Sequence, residues 1–121
     1  MANNYSRGQK DTRPWGKWEV IDCGDTFCVK RITVSPGGVL SLQMHHYRSE
    51  HWIIVNGTAV VTLGKLEFEK TAGDAIFIPE EVKHRIRNEA DVDLEFIEIQ
   101  YGEDLDEDDI VRFEDIYGRV K

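Results

Sequence analysis

Gly37-Gly38-Val39-Leu40-Ser41-Leu42-Gln43-Met44-His45-His46-Tyr47-Arg48-Ser49-Glu50-His51-Trp52 decides how the rest of this chain is read. Gln43, His45 and Glu50 put three metal-ligand side chains within eight residues. Gln43 and His45 stand two apart, so a strand points both to one face. Glu50 follows far enough on for a turn to return its carboxylate beside them. One amide carbonyl, one imidazole and one carboxylate suit a borderline divalent cation: Zn, Fe, Mn, Co or Ni. The set holds no thiolate, which argues against a closed structural zinc site. On a strand over Val39 to His46, Val39, Ser41, Gln43 and His45 share one face, and Leu40, Leu42, Met44 and His46 the other. Polar ligands opposite aliphatic side chains is the pattern of a sheet curled around a polar cavity. The same alternation turns His46 and His51 away from the ligands, as structural or supporting residues.

The flanking sequence reads as strands broken by turn residues. Trp18 to Ile21 and Phe27 to Val34 precede the quoted stretch, separated by a turn at Asp22-Cys23-Gly24-Asp25. After it, Glu50 to Val55 alternates Glu50, Trp52 and Ile54 against His51, Ile53 and Val55, and Asn56-Gly57 is a hairpin signal. Thr58 to Leu63, Leu66 to Glu69, Ala75 to Ile78, Lys83 to Arg87 and Leu94 to Tyr101 follow, with Gly or Pro between several of them. Such a succession, with no helical period before Glu103, predicts an all-β barrel or sandwich. Met1 to Thr12 is polar and without period, and is expected to be a flexible arm ahead of one domain over 13–121. Residues 102–121 carry eight acids and three bases, yet Ile110, Val111, Phe113, Ile116 and Tyr117 are interleaved with them. That pattern predicts a C-terminal extension packed back on the barrel, with Asp106 to Asp109 opening a short helical turn.

Composition excludes several classes of function. At 121 residues the chain has room for one domain, and 40% hydrophobic residues suffice for its core. A net charge of −8 argues against nucleic acid as a partner. No apolar run reaches the roughly 18 residues of a membrane span, and the polar N-terminus lacks the apolar stretch of a signal peptide, so the expected location is cytoplasmic. Cys23 and Cys28 then read as two unpaired thiols rather than a disulfide or a metal pair.

The spacing Gly37-x5-Gln43-x-His45-x4-Glu50-x6-Gly57 resembles the first cupin motif, with Gln where most cupins have the first His. Gly73-x5-Pro79-x4-His84-x3-Asn88 resembles the second, with Glu81 where a Gly is usual. Arg13-Pro14-Trp15-Gly16, Arg48-Ser49-Glu50-His51-Trp52 and Asp108-Asp109-Ile110-Val111-Arg112-Phe113-Glu114-Asp115-Ile116-Tyr117-Gly118-Arg119 narrow the likeness. They resemble the C-terminal isomerase domain of bifunctional mannose-6-phosphate isomerase/mannose-1-phosphate guanylyltransferase. The resemblance covers roughly Arg13 to Arg119. It implies a cupin, that is, a double-stranded β-helix or jelly-roll-like barrel, and a homodimer as in many single-domain cupins. It adds His84 to Gln43, His45 and Glu50 as the last ligand of one divalent metal ion.

The implied activity is metal-dependent interconversion of mannose 6-phosphate and fructose 6-phosphate, with a phosphorylated hexose as substrate. Arg48 falls on the arginine of the family's His-His-x-Arg-Ser-Glu-His motif, which suggests a catalytic or phosphate-contacting role beside Glu50 as against an exposed surface arginine. Arg112 and Arg119 match the terminal motif and either reach the pocket to bind substrate or neutralise Glu114 and Asp115. Lys30 is a further basic candidate for substrate binding. Proton transfer between C2 and C1 needs a base. Glu98 is the candidate, if it faces inward with Leu94 and Phe96 rather than outward. No glycine-rich nucleotide loop is present, so nucleotide transfer is not expected of this chain. Two other readings share the motif: another cupin sugar isomerase, epimerase or dioxygenase, and a non-catalytic sugar-binding cupin.

Overall fold

Three neighbouring strands explain where the polar cavity lies. The computed structural model describes residues 2–3, 5–106 and 108–119. The chain order is β1 (Ala2–Asn3), β2 (Lys10–Arg13), β3 (Gly16–Cys23), β4 (Phe27–Val34), β5 (Leu42–Met44), β6 (Arg48–Asn56) and β7 (Thr58–Leu63). Then come β8 (Leu66–Thr71), β9 (Ala75–Ile78), β10 (His84–Arg87), β11 (Leu94–Gly102), β12 (Asp104–Leu105) and β13 (Val111–Glu114). No helix occurs among the described residues. One sheet runs β2-β3-β4-β11-β6-β9 and the other β13-β5-β10-β7-β8, all neighbours antiparallel, and β1 pairs with β12 in parallel.

Strand β11 lies between β4 and β6, and every second residue of all three points inward. At one end the inward positions are apolar: Leu94 lies opposite Val34, and Phe96 opposite Ile32 and Ile54, all buried. Burying Phe96 alone contributes roughly 1.5–3 kcal/mol. Two residues further along, Glu98 lies opposite Lys30 and Trp52, and Gln100 opposite Cys28 and Glu50. Register therefore brings buried polar and charged groups to one end of the barrel, above an apolar floor.

Local signals did not all survive tertiary context. Asn56-Gly57 is no hairpin: β6 and β7 lie in different sheets, and this pair turns the corner between them. Gly57 takes φ +86°, and a Cβ there would stand 2.7 Å from the Asp93 carbonyl oxygen, so the corner needs glycine. The strand expected over Val39 to His46 is regular only at β5, and Leu40 and Ser41 are both buried, so strict alternation fails. The expected arm over 1–12 is built into the barrel where it is described: Lys10–Arg13 pairs with β3, and Tyr5 is buried against Trp18 with ring centroids 6.1 Å apart. Met1 and Asn4 of that stretch lie outside the described residues, as do Glu107, Val120 and Lys121 of the expected domain. Of the helical turn expected over Asp106 to Asp109, Glu107 lies outside the described residues; Asp109 N donates to Asp106 O at 3.0 Å, and no helix is formed by the described residues around it.

The C-terminal segment packs back on the barrel, but not through its whole apolar set: Phe113 and Ile116 are exposed. Strand β13 pairs with β5, Tyr117 packs on the core, and Val39 N donates to its hydroxyl at 3.3 Å. The turn after Pro79 keeps its shape without glycine: Glu81 adopts φ +63°, the left-handed region, at roughly 1–2 kcal/mol. Its amide donates to the His45 carbonyl at 2.8 Å, tying the two motif loops together. Cys23 and Cys28 are free thiols, and burial pushes the Cys28 thiol up to about 12.

Candidate functional site

His45 leads out of β5, Glu50 points inward from β6, and His84 opens β10. One ligand atom from each lies within 4.8 Å of the others, and all three residues are buried. Glu50 Oε2 is 3.3 Å from His45 Nε2, and Glu50 Oε1 is 3.9 Å from His84 Nε2. Each imidazole turns its other nitrogen to a main-chain carbonyl: His45 Nδ1 to Asp109 O at 2.6 Å, and His84 Nδ1 to Val82 O at 2.9 Å. A carbonyl only accepts, so Nδ1 carries the hydrogen and Nε2 the lone pair in both rings. Burial lowers the pKa of His45 to about 4 and also lowers that of His84, so both rings are neutral. Burial alone would raise Glu50, but the Arg48 guanidinium holds it well below the usual carboxylate range.

Two neutral imidazole lone pairs and one carboxylate form a donor set suited to a divalent cation, and the second-nitrogen bonds are those that orient such ligands. His84 Nε2 fits this use: it is buried and has no hydrogen-bond partner among the described residues. Such an atom costs about 1–3 kcal/mol unless something engages it. Gln43 lies opposite His84 in the ladder and lines the same cavity as His45, where its side chain is available as a further donor. His46 and His51 lie outside the cluster. His46 Nδ1 is 3.0 Å from Glu81 Oε2, and the His51 ring packs at a tilt against Phe77 with centroids 4.7 Å apart. Protein purified after growth with added Zn, Mn, Fe, Co and Ni is expected to retain one of these metals. His84→Ala should weaken its affinity by at least about tenfold without loss of the far-UV β signal. Metal-free wild-type protein from that preparation, by elemental analysis, would overturn the assignment.

Arg48 is not an exposed surface arginine. It is the first residue of β6, buried, and lines the cavity. Its Nε donates to Glu50 Oε2 at 2.9 Å, Nη2 lies 3.2 Å from His45 Nε2, and Nη1 donates to Asp106 O at 3.4 Å. Glu98 faces inward, as its place beside Phe96 predicts, and is buried. Trp52 Nε1 donates both to Glu98 Oε1 at 3.2 Å and to Glu50 Oε1 at 3.0 Å, while Gln100 Nε2 donates to Glu98 Oε2 at 2.9 Å. Burial, with the Glu50 charge behind it, pushes Glu98 up to about 8.

Lys30 is buried, with its ammonium 4.2 Å from the Tyr5 ring centre and 4.1 Å from that of Trp18. This aromatic clamp accommodates the charge away from bulk water. Arg112 and Arg119 reach the cavity. Arg119 also clasps Asp115, Nε to Oδ2 at 2.6 Å, so this residue both lines the cavity and neutralises that acid. Arg13 lines the cavity too, which brings the cations in its wall to five (Arg13, Lys30, Arg48, Arg112 and Arg119) against one carboxylate, Glu98. A chain of net charge −8 thus lines this cavity with positive charge. Sequence reasoning missed Arg13, Trp52, Gln100 and Asp109 as parts of the site. The alternation that turned Glu50 and Glu98 inward also covers Trp52 and Gln100. Arg13 and Asp109 both lay inside motifs that served only to narrow the family likeness.

Residues 2–115 match the family model described as Mannose-6-phosphate isomerase C-terminal. The chain is 56% identical over 112 residues to the xanthan biosynthesis protein XanB of Xanthomonas campestris pv. campestris, a match covering 93% of this chain and 24% of that protein. It is 50% identical over 108 residues to the mannose-1-phosphate guanylyltransferase ManC of Salmonella typhimurium, covering 89% and 22%. The chain thus spans about a quarter of the length of these curated relatives. Among solved structures, a Klebsiella pneumoniae protein with a double-stranded β-helix domain superposes with TM-score 0.71 at 16% identity, covering 93% of this chain and 90% of that one. A cupin 2 barrel protein of Salinispora arenicola superposes with TM-score 0.63 at 20% identity, covering 70% and 74%. Those two likenesses show the fold, a cupin barrel. The family match runs over nearly the whole chain and the relatives are at least half identical to it, so this chain belongs to the mannose-6-phosphate isomerase C-terminal family.

Proposed function

We propose that this domain is a metal-dependent aldose–ketose isomerase that interconverts mannose 6-phosphate and fructose 6-phosphate. The observation that carries the reading is one buried carboxylate, Glu98, in a cavity whose wall holds five cations beside the His45–Glu50–His84 cluster. The cations suit a phosphorylated substrate, with Arg112, Arg119 and Arg13 toward its phosphate. Glu98 takes the C2 proton of the aldose. The C2–H electron pair forms the C1–C2 double bond, and negative charge moves to O1. The same carboxyl then delivers its proton to C1 as the C2–O bond becomes a carbonyl and the O2 proton passes to O1, so nothing is gained or lost. Arg48 and Lys30 face the developing oxyanion with fixed positive charge. A divalent metal held by His45, Glu50 and His84, with Gln43, would supply further electrophilic stabilisation there.

A pKa of about 8 makes Glu98 a stronger base than an exposed glutamate, and the ionised form that takes the C2 proton gains population as pH rises through that value. The test is a coupled assay of the purified chain with mannose 6-phosphate in the presence of each candidate metal. Turnover that disappears on chelation and returns on metal addition is the expected result. No product from fully metallated protein would end the mannose-6-phosphate isomerase reading.

A further inference from the structure

We infer that Asp109 is a positioning residue: through it the C-terminal segment fixes the tautomer and direction of His45 and the path of the chain from His45 to Tyr47. The inference rests on reading His45, Glu50 and His84 as a metal centre. Residues 45–47 lie between β5 and β6, outside both ladders. Asp109, buried and more than sixty residues away in sequence, supplies what the ladders do not. Its Oδ1 accepts the His46 amide at 2.9 Å and its Oδ2 the Tyr47 amide at 3.0 Å. Its main-chain carbonyl accepts His45 Nδ1–H at 2.6 Å. One residue thus holds three consecutive positions, two by its side chain and one by its backbone.

The carboxylate is matched to this task. Two adjacent amides point at it, each oxygen takes one, and bonds to an ionised acceptor are the stronger kind. The carbonyl, being acceptor only, leaves the His45 lone pair on Nε2, which faces Glu50 Oε2. Asp109 N donates to Asp106 O, and Asp106 O also accepts from Arg48. Without the carboxylate the backbone carbonyl remains, but the two bonds that hold it over the His45 ring are gone. An amide at this position keeps one acceptor and turns a donor toward the other N–H.

The experiment uses the full chain as wild type, Asp109→Ala, Asp109→Asn and the exposed neighbour control Asp108→Ala. Long-range proton–nitrogen NMR of the His45 ring reads the tautomer, amide exchange reads His46 and Tyr47, and calorimetric titration with Zn or Mn reads the metal. Wild type and Asp108→Ala should show a single Nδ1–H tautomer and slow exchange. Asp109→Ala should mix the tautomers, speed exchange at both amides and weaken metal binding about 10–100-fold. Asp109→Asn should fall between, and it carries the test if the alanine variant does not fold. A single Nδ1–H tautomer and unchanged amide protection in whichever of these variants folds would overturn the inference. Wild type that binds neither Zn nor Mn, and retains no Fe, Co or Ni after growth with those metals, would sink the metal reading instead, and the ring and amide signals would then decide the positioning role on their own.

Discussion

Glu98→Gln is expected to lower kcat for mannose 6-phosphate isomerisation by about 10²–10⁴-fold, the range for losing a general base, with KM little changed. The amide has nearly the shape of the carboxylate but cannot accept and return a proton. Its surroundings can take it without strain. One amide oxygen still accepts from Trp52 Nε1, and the new NH2 group then meets Gln100 Nε2. Gln100 resolves that clash by turning its own amide over, because its Oε1 has no hydrogen-bond partner among the described residues. The melting temperature should therefore stay close to that of wild type, and the loss should appear in kcat. The cavity's Arg13, Arg112 and Arg119 are untouched, so KM is expected to hold steady. Glu98→Asp retains a base but withdraws it by one methylene, so it should fall between the two. Retention of more than about a tenth of kcat by Glu98→Gln would remove Glu98 from the chemistry, since even a weakly contributing base is worth more than that.

Much of this arrangement could be read from the chain because its signals are local. Alternation along Glu50, Trp52 and Ile54, and along Leu94, Phe96 and Glu98, sets the inward face of β6 and β11, and the barrel keeps both. What escaped depends on partners distant in sequence. Asn56-Gly57 has hairpin chemistry, but β6 is already paired on both sides, by β11 and β9, so no edge is open to β7. The N-terminal stretch has no period to show that Tyr5 is buried. Its burial is set by Trp18 and by the Lys30 ammonium, which belong to β3 and β4. Alternation also breaks at Leu40 and Ser41, where Leu40 N bonds Ile86 O and a Cβ on Gly38 would stand 2.7 Å from the Trp15 carbonyl. Backbone that packs this closely follows its neighbours more than its own pattern. Asp109 is the extreme case: an acid among acids in sequence, it acquires its role only when the chain end folds over the first motif.

Arg48→Ala is expected to lower kcat/KM by about 10²–10³-fold, the scale of removing one preorganised electrostatic stabiliser. Arg48 is the cation nearest the ligand cluster, bonded to Glu50 Oε2 and 3.2 Å from His45 Nε2, and its planar fork serves both while still lining the cavity. Arg48→Lys should recover only part of the activity, since a single ammonium cannot reproduce that fork. Removing Arg48 also leaves the buried Glu50 carboxylate short of its main counter-charge, and breaking a buried pair of this kind costs about 3–5 kcal/mol. Rates must therefore be compared in metal-saturated protein well below each variant's melting temperature, so that lost fold is not counted as lost chemistry. Metal affinity separates the remaining possibilities. A guanidinium is no ligand, and it occupies the same lone pairs a cation would use, so Arg48→Ala should bind metal at least as tightly as wild type. If affinity falls in step with activity, Arg48 acts by building the cluster and its direct role on the substrate is lost. If the variant keeps both its metal and its full rate, Arg48 is structural, and the oxyanion is left to Lys30 and the metal.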